Sequence, residues 1–491
     1  MTQVCETFFS RGQGRDAARL ALEVVSRHPD DAALTLAAAA LMSKHTARHD
    51  VVATLLRRVL RLEPDHMLAQ LSLGGALVAG GDLAGGCALF SRMMARYPDE
   101  HVMLCEHISA SFLNTGYPAE AMQIVSLGLK DGETNVALVN NMACALDRLG
   151  RSPEAISWYE RACALAPENP ILAFGYATTL LKAGNFREGW ARYAERAPAT
   201  SSVMWFMSLP RLRLGDDVAG KKVILYQEQG LGDTIQFIRF VPCLLEKGAE
   251  VTIVIPESLV RLLTLSFPGV SVVTTRSKLD AEDGYSYAAP IPDLPFIVGM
   301  ASESDIPARI PYLRADPGDV ATFAAEFPTG RPRIGLVWAG ERRARPDLAA
   351  TDERRSTTLA AMGAALSPVA ATLVNLQLGP PRGEIGTWDG QMLFDPMDGV
   401  RDMADTAAIL ENLDLFICVD TSPAHLAGAL GRPVWLVSRR DACWRWGDDG
   451  DTSAWYPTMR LFRARERSLA PVLREVGAAL RDWVTAWNAG C

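Results

Sequence analysis

Two short segments carry residue types that handle anions and protons. The first is Gln229-Gly230-Leu231-Gly232-Asp233-Thr234, where the apolar run KKVILYQEQ gives way to the amphipathic TIQFIRFVPCLLEKG. Backbone N–H groups at such a strand-to-helix turn favour an anion or sugar hydroxyls. An Asp directly after the two glycines can take a proton from an acceptor hydroxyl, or it can cap the helix that begins there. Spacing alone leaves both roles open. A dinucleotide fingerprint is excluded, because Ile235 stands where the third glycine is required.

The second segment is Asp420-Thr421-Ser422-Pro423-Ala424-His425, between the apolar DLFICV and the Ala/Gly-rich HLAGALG. Of seven histidines six lie at or before His107, so His425 is the one imidazole of the C-terminal half. Hydroxyls and N–H groups at this helix start can hold a phosphate or diphosphate, with the imidazole as a further donor. A capped helix with a packed histidine is the competing account. Two loops add to these. Gly340 to Ser356, GERRARPDLAATDERRS, offers Arg354 and Arg355 as a phosphate clamp, or is a solvated run of mixed charge. Trp444-Arg445-Trp446 and Trp455-Tyr456-Pro457 form an aromatic cluster suited to stacking on a base or sugar, or to packing between domains.

These segments need strand ends to hold them. From KKVILYQEQ onward, strand-like and helix-like segments alternate: AEVTIVIP, SLVRLLTLSF and VSVVTT, then RPRIGLVWAG, ATLVNLQL, DMADTAAILENL, DLFICVD, SPAHLAGALG and RPVWLVS. Such alternation calls for parallel sheets covered by helices, with ligands outside the carboxyl ends of the strands.

Ahead of this region the chain repeats. Pro29-Asp30, Pro64-Asp65 and Pro98-Asp99 follow at intervals of 35 and 34 residues, and Pro167-Glu168 comes 69 later, with Asp131-Gly132 at the missing step. Gly116, Gly150 and Gly184 give a second register of 34 residues, each opening a turn into a helix, with Ala121 and Ala155 equivalent. A helical hairpin of this kind cannot bury its apolar face alone, so neighbours stack into a solenoid. The period is that of tetratricopeptide repeats, over about residues 5–200, with a degenerate stretch around Lys44 to Asp50.

The composition sets outer bounds. A chain of 491 residues exceeds one ordinary core. A formal charge of -8 without a dense Lys/Arg block argues against nucleic acid. No stretch nears the roughly 20 apolar residues of a spanning helix and no signal-like leader is evident, so a cytoplasmic protein without membrane insertion is expected. Nine cysteines without a CxxC pair indicate neither a disulfide framework nor a zinc site, and Cys443 and Cys491 are the thiols to watch.

Taken together, LYQEQGLGDTIQFIRF, GLVWAGE with a downstream ERRS, LENLDLFICVDTSPAHLAGALGRPVW and WYPTMRLFR resemble the catalytic domain of bacterial tetratricopeptide-linked glycosyltransferases. These are related to the heptosyltransferases and, more widely, to O-GlcNAc-transferase-type GT-B enzymes (families 9 and 41). The likeness covers residues 200–465, and the DTxxxHLAGALGxPVW stretch is its most specific part. It implies an α plus α/β chain: a solenoid over 1–198, a linker over 199–220, an acceptor-side lobe over 221–325, and a donor-side lobe with a C-terminal helix over 326–491.

The resemblance further implies roles. Asp233 matches the family's candidate general base, with Gly230, Gly232, Thr234 and Gln236 beside it on the acceptor side. Asp420, Thr421 and His425 match the donor-phosphate motif, with Ser422, Arg355, Gln377 and Trp338 as further donor-side residues. Two departures stand out: GERRA replaces the usual GNPxH, and Gln377-Leu378-Gly379 replaces Gln-Lys-Gly, removing a basic donor contact. The implied activity is inverting, metal-independent transfer of a sugar from a nucleotide-sugar to a protein Ser/Thr hydroxyl, with no cofactor and with the repeats holding the protein acceptor. Relatives of this domain order include enzymes that modify flagellin, which suggests flagellin as acceptor and a nonulosonate such as pseudaminic acid as sugar; ADP-heptose, a UDP-hexosamine and a lipid-linked acceptor fit the same motifs. The rival class is a non-catalytic tetratricopeptide adaptor with a degenerate nucleotide-binding domain. Exposed solenoid edges permit an oligomer.

Overall fold

The computed structural model describes the chain apart from residues 1, 11–12, 47, 131–133, 198–203, 278, 281–282, 343–345 and 491, and apart from the side chains of 9–10 and 346–349. Asp131-Gly132, Cys491 and the first residues of the expected linker therefore lie outside the described residues. Two compact units divide the chain. One comprises Met1–Glu168 with Arg342–Arg354, and the other Asn169–Glu341 with Arg355–Cys491. This division departs from the boundary expected at residue 198, since the last helical hairpin groups with the second unit.

The first unit is a run of antiparallel helical hairpins. Asp31, Asp82 and Asn135 cap helices by accepting from Leu34, Gly85 and Leu138 N–H at 2.8, 2.9 and 2.9 Å. Gly116 and Gly150 end helices in the left-handed region, at φ of 84° and 74°, where only glycine is unstrained. Ala121 and Ala155 are fully buried, as close helix approach requires. The stretch expected to be degenerate still forms a hairpin, Ala32–His45 with His49–Leu62, because Leu41, Met42, Val52 and Leu56 supply a buried face. The helix Pro346–Arg354 belongs to this unit, and Arg354 donates to Asn114 O at 2.8 Å.

In the second unit the hairpin Pro170–Lys182 and Phe186–Ala194 precedes two parallel sheets. The first sheet contains β1 (Lys222–Tyr226), β2 (Glu250–Ile255), β3 (Ser271–Thr274) and β4 (Tyr285–Pro290), in the order β3-β2-β1-β4. The second contains β5 (Arg333–Val337), β6 (Thr372–Asn375), β7 (Leu393–Phe394), β8 (Leu415–Val419), β9 (Val434–Ser438) and β10 (Met459–Arg463), in the order β10-β9-β8-β5-β6-β7. The strand order reverses beside β1 in the first sheet and between β5 and β8 in the second. Ligands of open α/β sheets sit at such switch points, and the two motifs follow β1 and β8.

One apolar core runs through both lobes and the hairpin. Trp190 of the hairpin meets Phe237, Trp444 and Trp455 edge-on, with centroids 5.6, 5.5 and 6.4 Å apart. Arg196 pairs with Glu228, and with Asp293 at 2.8 Å, all nearly fully buried. The described part of the expected linker is packed rather than loose: Phe206 is buried against Ile224 and Tyr226, and Leu212 N–H donates to Ala288 O at 3.1 Å. The C-terminal helix Ala470–Gly490 covers the second sheet, and Gly477 lies so close to Ala365 O that a Cβ there would stand 2.0 Å from it. Among the described residues no helix is long and apolar enough to cross a membrane.

Candidate active site

The turn after β1 enters the helix Leu231–Phe237, whose first turn carries Asp233. Asp233 Oδ2 accepts from Gly230 N–H at 2.8 Å, which is the capping contact. Its Oδ1 is ion-paired with Arg445, a residue of the second lobe. Arg445 also donates from Nε to Gln236 Oε1 at 2.6 Å and from Nη1 to Cys443 Sγ at 3.2 Å. Its guanidinium lies 4.3 Å from the Trp444 ring centroid and 5.5 Å from that of Phe237. Burial works against its charge most strongly, but the Asp233 carboxylate together with Cys443 and Tyr193 offsets this and keeps its pKa above the ordinary arginine value. Thr234 and Gln236 are buried, so of the expected acceptor-side residues only Gly230, Gly232 and Asp233 retain surface at the turn.

The second motif lies against the first. Helix Ser422–Ala429 starts at Thr421, whose hydroxyl makes no capping bond and has no hydrogen-bond partner although it is buried. Such an orphaned oxygen at a helix start, with Ser422 beside it, suits an anionic or hydroxylated ligand. His425 packs directly on the glycine turn: a Cβ on Gly232 would stand 2.7 Å from its Cδ2. Its Nδ1 is 3.0 Å from Tyr456 Oη, and its ring stacks on Trp446 with centroids 5.4 Å apart. Burial lowers its pKa to about 4, despite the opposing effect of Asp420. His425 is therefore neutral at pH 7, and a Tyr456 hydroxyl that donates to Nδ1 leaves the ring proton on Nε2.

Arg355 joins the carboxyl ends of β5 and β8. It crosses Gly340, where a Cβ would meet its Cζ at 2.7 Å, and donates to Glu341 O at 2.7 Å and Asp420 O at 3.4 Å. Arg354, expected to share a clamp with it, instead turns to Asn114 within the first unit. Consecutive side chains on a helix end diverge, so the pair forms no clamp.

Trp338 and Gln377, also expected on the donor side, are interior. Trp338 is fully buried in the core of the second lobe. Gln377 Oε1 accepts from Trp338 and Ala339 N–H at 3.1 and 2.9 Å, and its Nε2 donates to Leu378 O at 2.9 Å. Its amide thus shapes the loop after β5 from beneath. Leu378, in place of the family's basic residue, is half-exposed. The aromatic cluster packs between lobes, with Trp444 stacked on Phe237 and Trp455 edge-on to it. Arg445 and Tyr456 are the site residues that spacing did not single out by role; the signal available was a lone cation between two tryptophans.

The model of glycosyltransferase family 9 (heptosyltransferase) matches residues 399–437, which span β8, the Ser422–Ala429 helix and most of β9. A tetratricopeptide repeat model matches residues 48–101 and 140–201. Protein FlbA of Caulobacter vibrioides is 27% identical over 457 residues, covering 88% of this chain and 70% of its own. Among solved structures, one of MamA is similar at 22% identity over 31% of this chain and 86% of its own, with a TM-score of 0.25. Yeast Tom70 is similar at 14% identity over 37% and 39%, with a TM-score of 0.30. The chain combines tetratricopeptide repeats with a glycosyltransferase family 9 domain.

Proposed function

We propose that the protein transfers a sugar from a nucleotide-sugar donor to a Ser or Thr hydroxyl of a protein, with the repeats recognising that acceptor. The observation that carries this reading is the contact of Gly232 with His425, which joins the proton-handling turn of one lobe to the anion-binding helix of the other. Two facing α/β lobes in this relation correspond to a GT-B enzyme. In the reaction, the acceptor oxygen attacks the anomeric carbon from the face opposite the nucleotide phosphate. The carbon–phosphate-oxygen bond breaks as the new glycosidic bond forms, and Asp233 takes the hydroxyl proton. Thr421, the N–H groups of its helix and Arg355 stabilise the departing phosphate without a metal ion. Neutral His425 contributes a hydrogen bond rather than charge.

Flagellin as acceptor and a nonulosonate as sugar follow from the family resemblance, and a cytoplasmic location goes with them. The test is intact-mass spectrometry of purified flagellin incubated with the full chain and, in turn, CMP-, UDP-, GDP- and ADP-sugars. A mass gain matching one sugar, lost in Asp233→Asn, is expected. No gain on flagellin with any donor contradicts the proposed acceptor, and an Asp233→Asn variant of full activity contradicts the proposed base.

A second reading, a binding adaptor without catalysis, draws on the doubly engaged Asp233 carboxylate and on Leu378. It predicts nucleotide binding without any transfer.

A further inference from the structure

We infer that Arg445 is a positioning residue for the transfer, a cation supplied by the second lobe that seats the Asp233 carboxylate of the first; this rests on Asp233 being the base. The two residues are 212 positions apart, so only the assembled lobes bring them together. The Arg445 side chain is 9% exposed, and its fork engages one face of the Leu231–Phe237 helix, with Asp233 and Gln236 one turn apart. Phe237 and Trp444 flank the guanidinium and restrict its orientation.

The effect falls on both carboxylate oxygens. Gly230 N–H, from the first lobe itself, holds Oδ2, while Arg445 holds Oδ1 from the other lobe. A carboxylate fixed at one oxygen still rotates about its Cβ–Cγ bond, whereas one fixed at both does not. The base is therefore oriented only while the lobes are together. A lysine supplies charge but not the planar fork that spans two acceptors.

Hydrogen exchange of the full chain, read by mass spectrometry, tests this without a ligand. In Arg445→Gln, amides of Gly230–Phe237 are expected to exchange about tenfold faster or more, while those of β2 keep their wild-type rates. Wild-type rates over Gly230–Phe237, or an equal acceleration everywhere, overturns the inference. If the Gln variant does not accumulate folded, Arg445→Lys is expected to give the same localised acceleration to a smaller degree, and wild-type protection there overturns the inference equally.

A kinetic arm uses whichever of the CMP-, UDP-, GDP- or ADP-sugars supports transfer. For Arg445→Gln, kcat is expected to fall roughly a hundredfold with the donor KM within about threefold of wild type. A KM effect with kcat intact contradicts a role in seating the base. Failure of the base reading itself is seen separately, as full activity in Asp233→Asn, and leaves the exchange result to decide whether Arg445 orders the turn.

Discussion

Gly232 and His425 meet across the two lobes so closely that no side chain fits between them: a Cβ on Gly232 would lie 2.7 Å from His425 Cδ2 and 3.3 Å from Nε2. The glycine is needed here for space. His425 cannot retreat, since Trp446 stacks on its ring and Tyr456 holds Nδ1. Gly232→Ala is expected to cost about 1–3 kcal/mol through overpacking, seen as a lowered melting temperature in calorimetry. An unchanged melting temperature would mean that the two motifs are not in contact.

His425 also predicts a pH dependence. Its pKa is about 4 in the folded chain, against roughly 6.5 in the unfolded one. Above the unfolded value both states are neutral and stability is unaffected. As pH falls below about 6.5 the unfolded state binds a proton that the folded state refuses, so stability drops until about pH 4, by about 3 kcal/mol in total. His425→Gln should flatten this part of the curve in chemical denaturation at pH 7, 6, 5 and 4. Parallel curves for the two proteins would contradict the buried neutral imidazole.

Arg354 and Arg355 are adjacent but serve different units. Arg355→Ala is expected to weaken nucleotide binding about tenfold or more, through loss of a charge-assisted contact at the end of β5. Arg354→Ala should leave that affinity within about twofold and instead destabilise the first unit, where Asn114 O loses its donor. Titration calorimetry on both variants decides, and equal losses of affinity would restore the clamp.

Arg196 neutralises Glu228 and shares Asp293 with Arg211. Removing a buried cation strands its carboxylate, at about 3–5 kcal/mol. Arg196→Met is therefore expected to be markedly less stable than Arg196→Met combined with Glu228→Gln, in denaturant titration. Additive losses would show that the pair is not coupled.

Much of the architecture was legible because periodicity reports burial. The 34-residue glycine register marked left-handed turns that recur at Gly116, Gly150 and Gly184, and the alternation after Lys222 marked two parallel sheets. The position of both motifs at strand ends was legible for the same reason. Spacing does not say which way a side chain turns, so it pairs Arg354 with Arg355 although the two diverge, and the resemblance that sets Trp338 and Gln377 on the donor side does not show that both are buried beneath the loop. Nor does it pair residues far apart in the chain. Spacing leaves Asp233 open between cap and base; it makes the capping contact, and the partner of its other oxygen lies beyond β9. The helix Pro346–Arg354 groups with the repeat unit although no repeat register reaches it.

On the proposed function, the second lobe binds a nucleotide at Thr421 and Arg355. Its most direct test is thermal unfolding of the full chain with UDP, GDP, ADP and CMP, beside Arg355→Ala and Thr421→Val. A ligand that binds the native state alone must raise its melting temperature. One nucleotide is predicted to raise it in the wild type and to do so far less in either variant. No shift from any of the four, or a shift unaffected by both substitutions, would show that no nucleotide is held at Thr421 and Arg355.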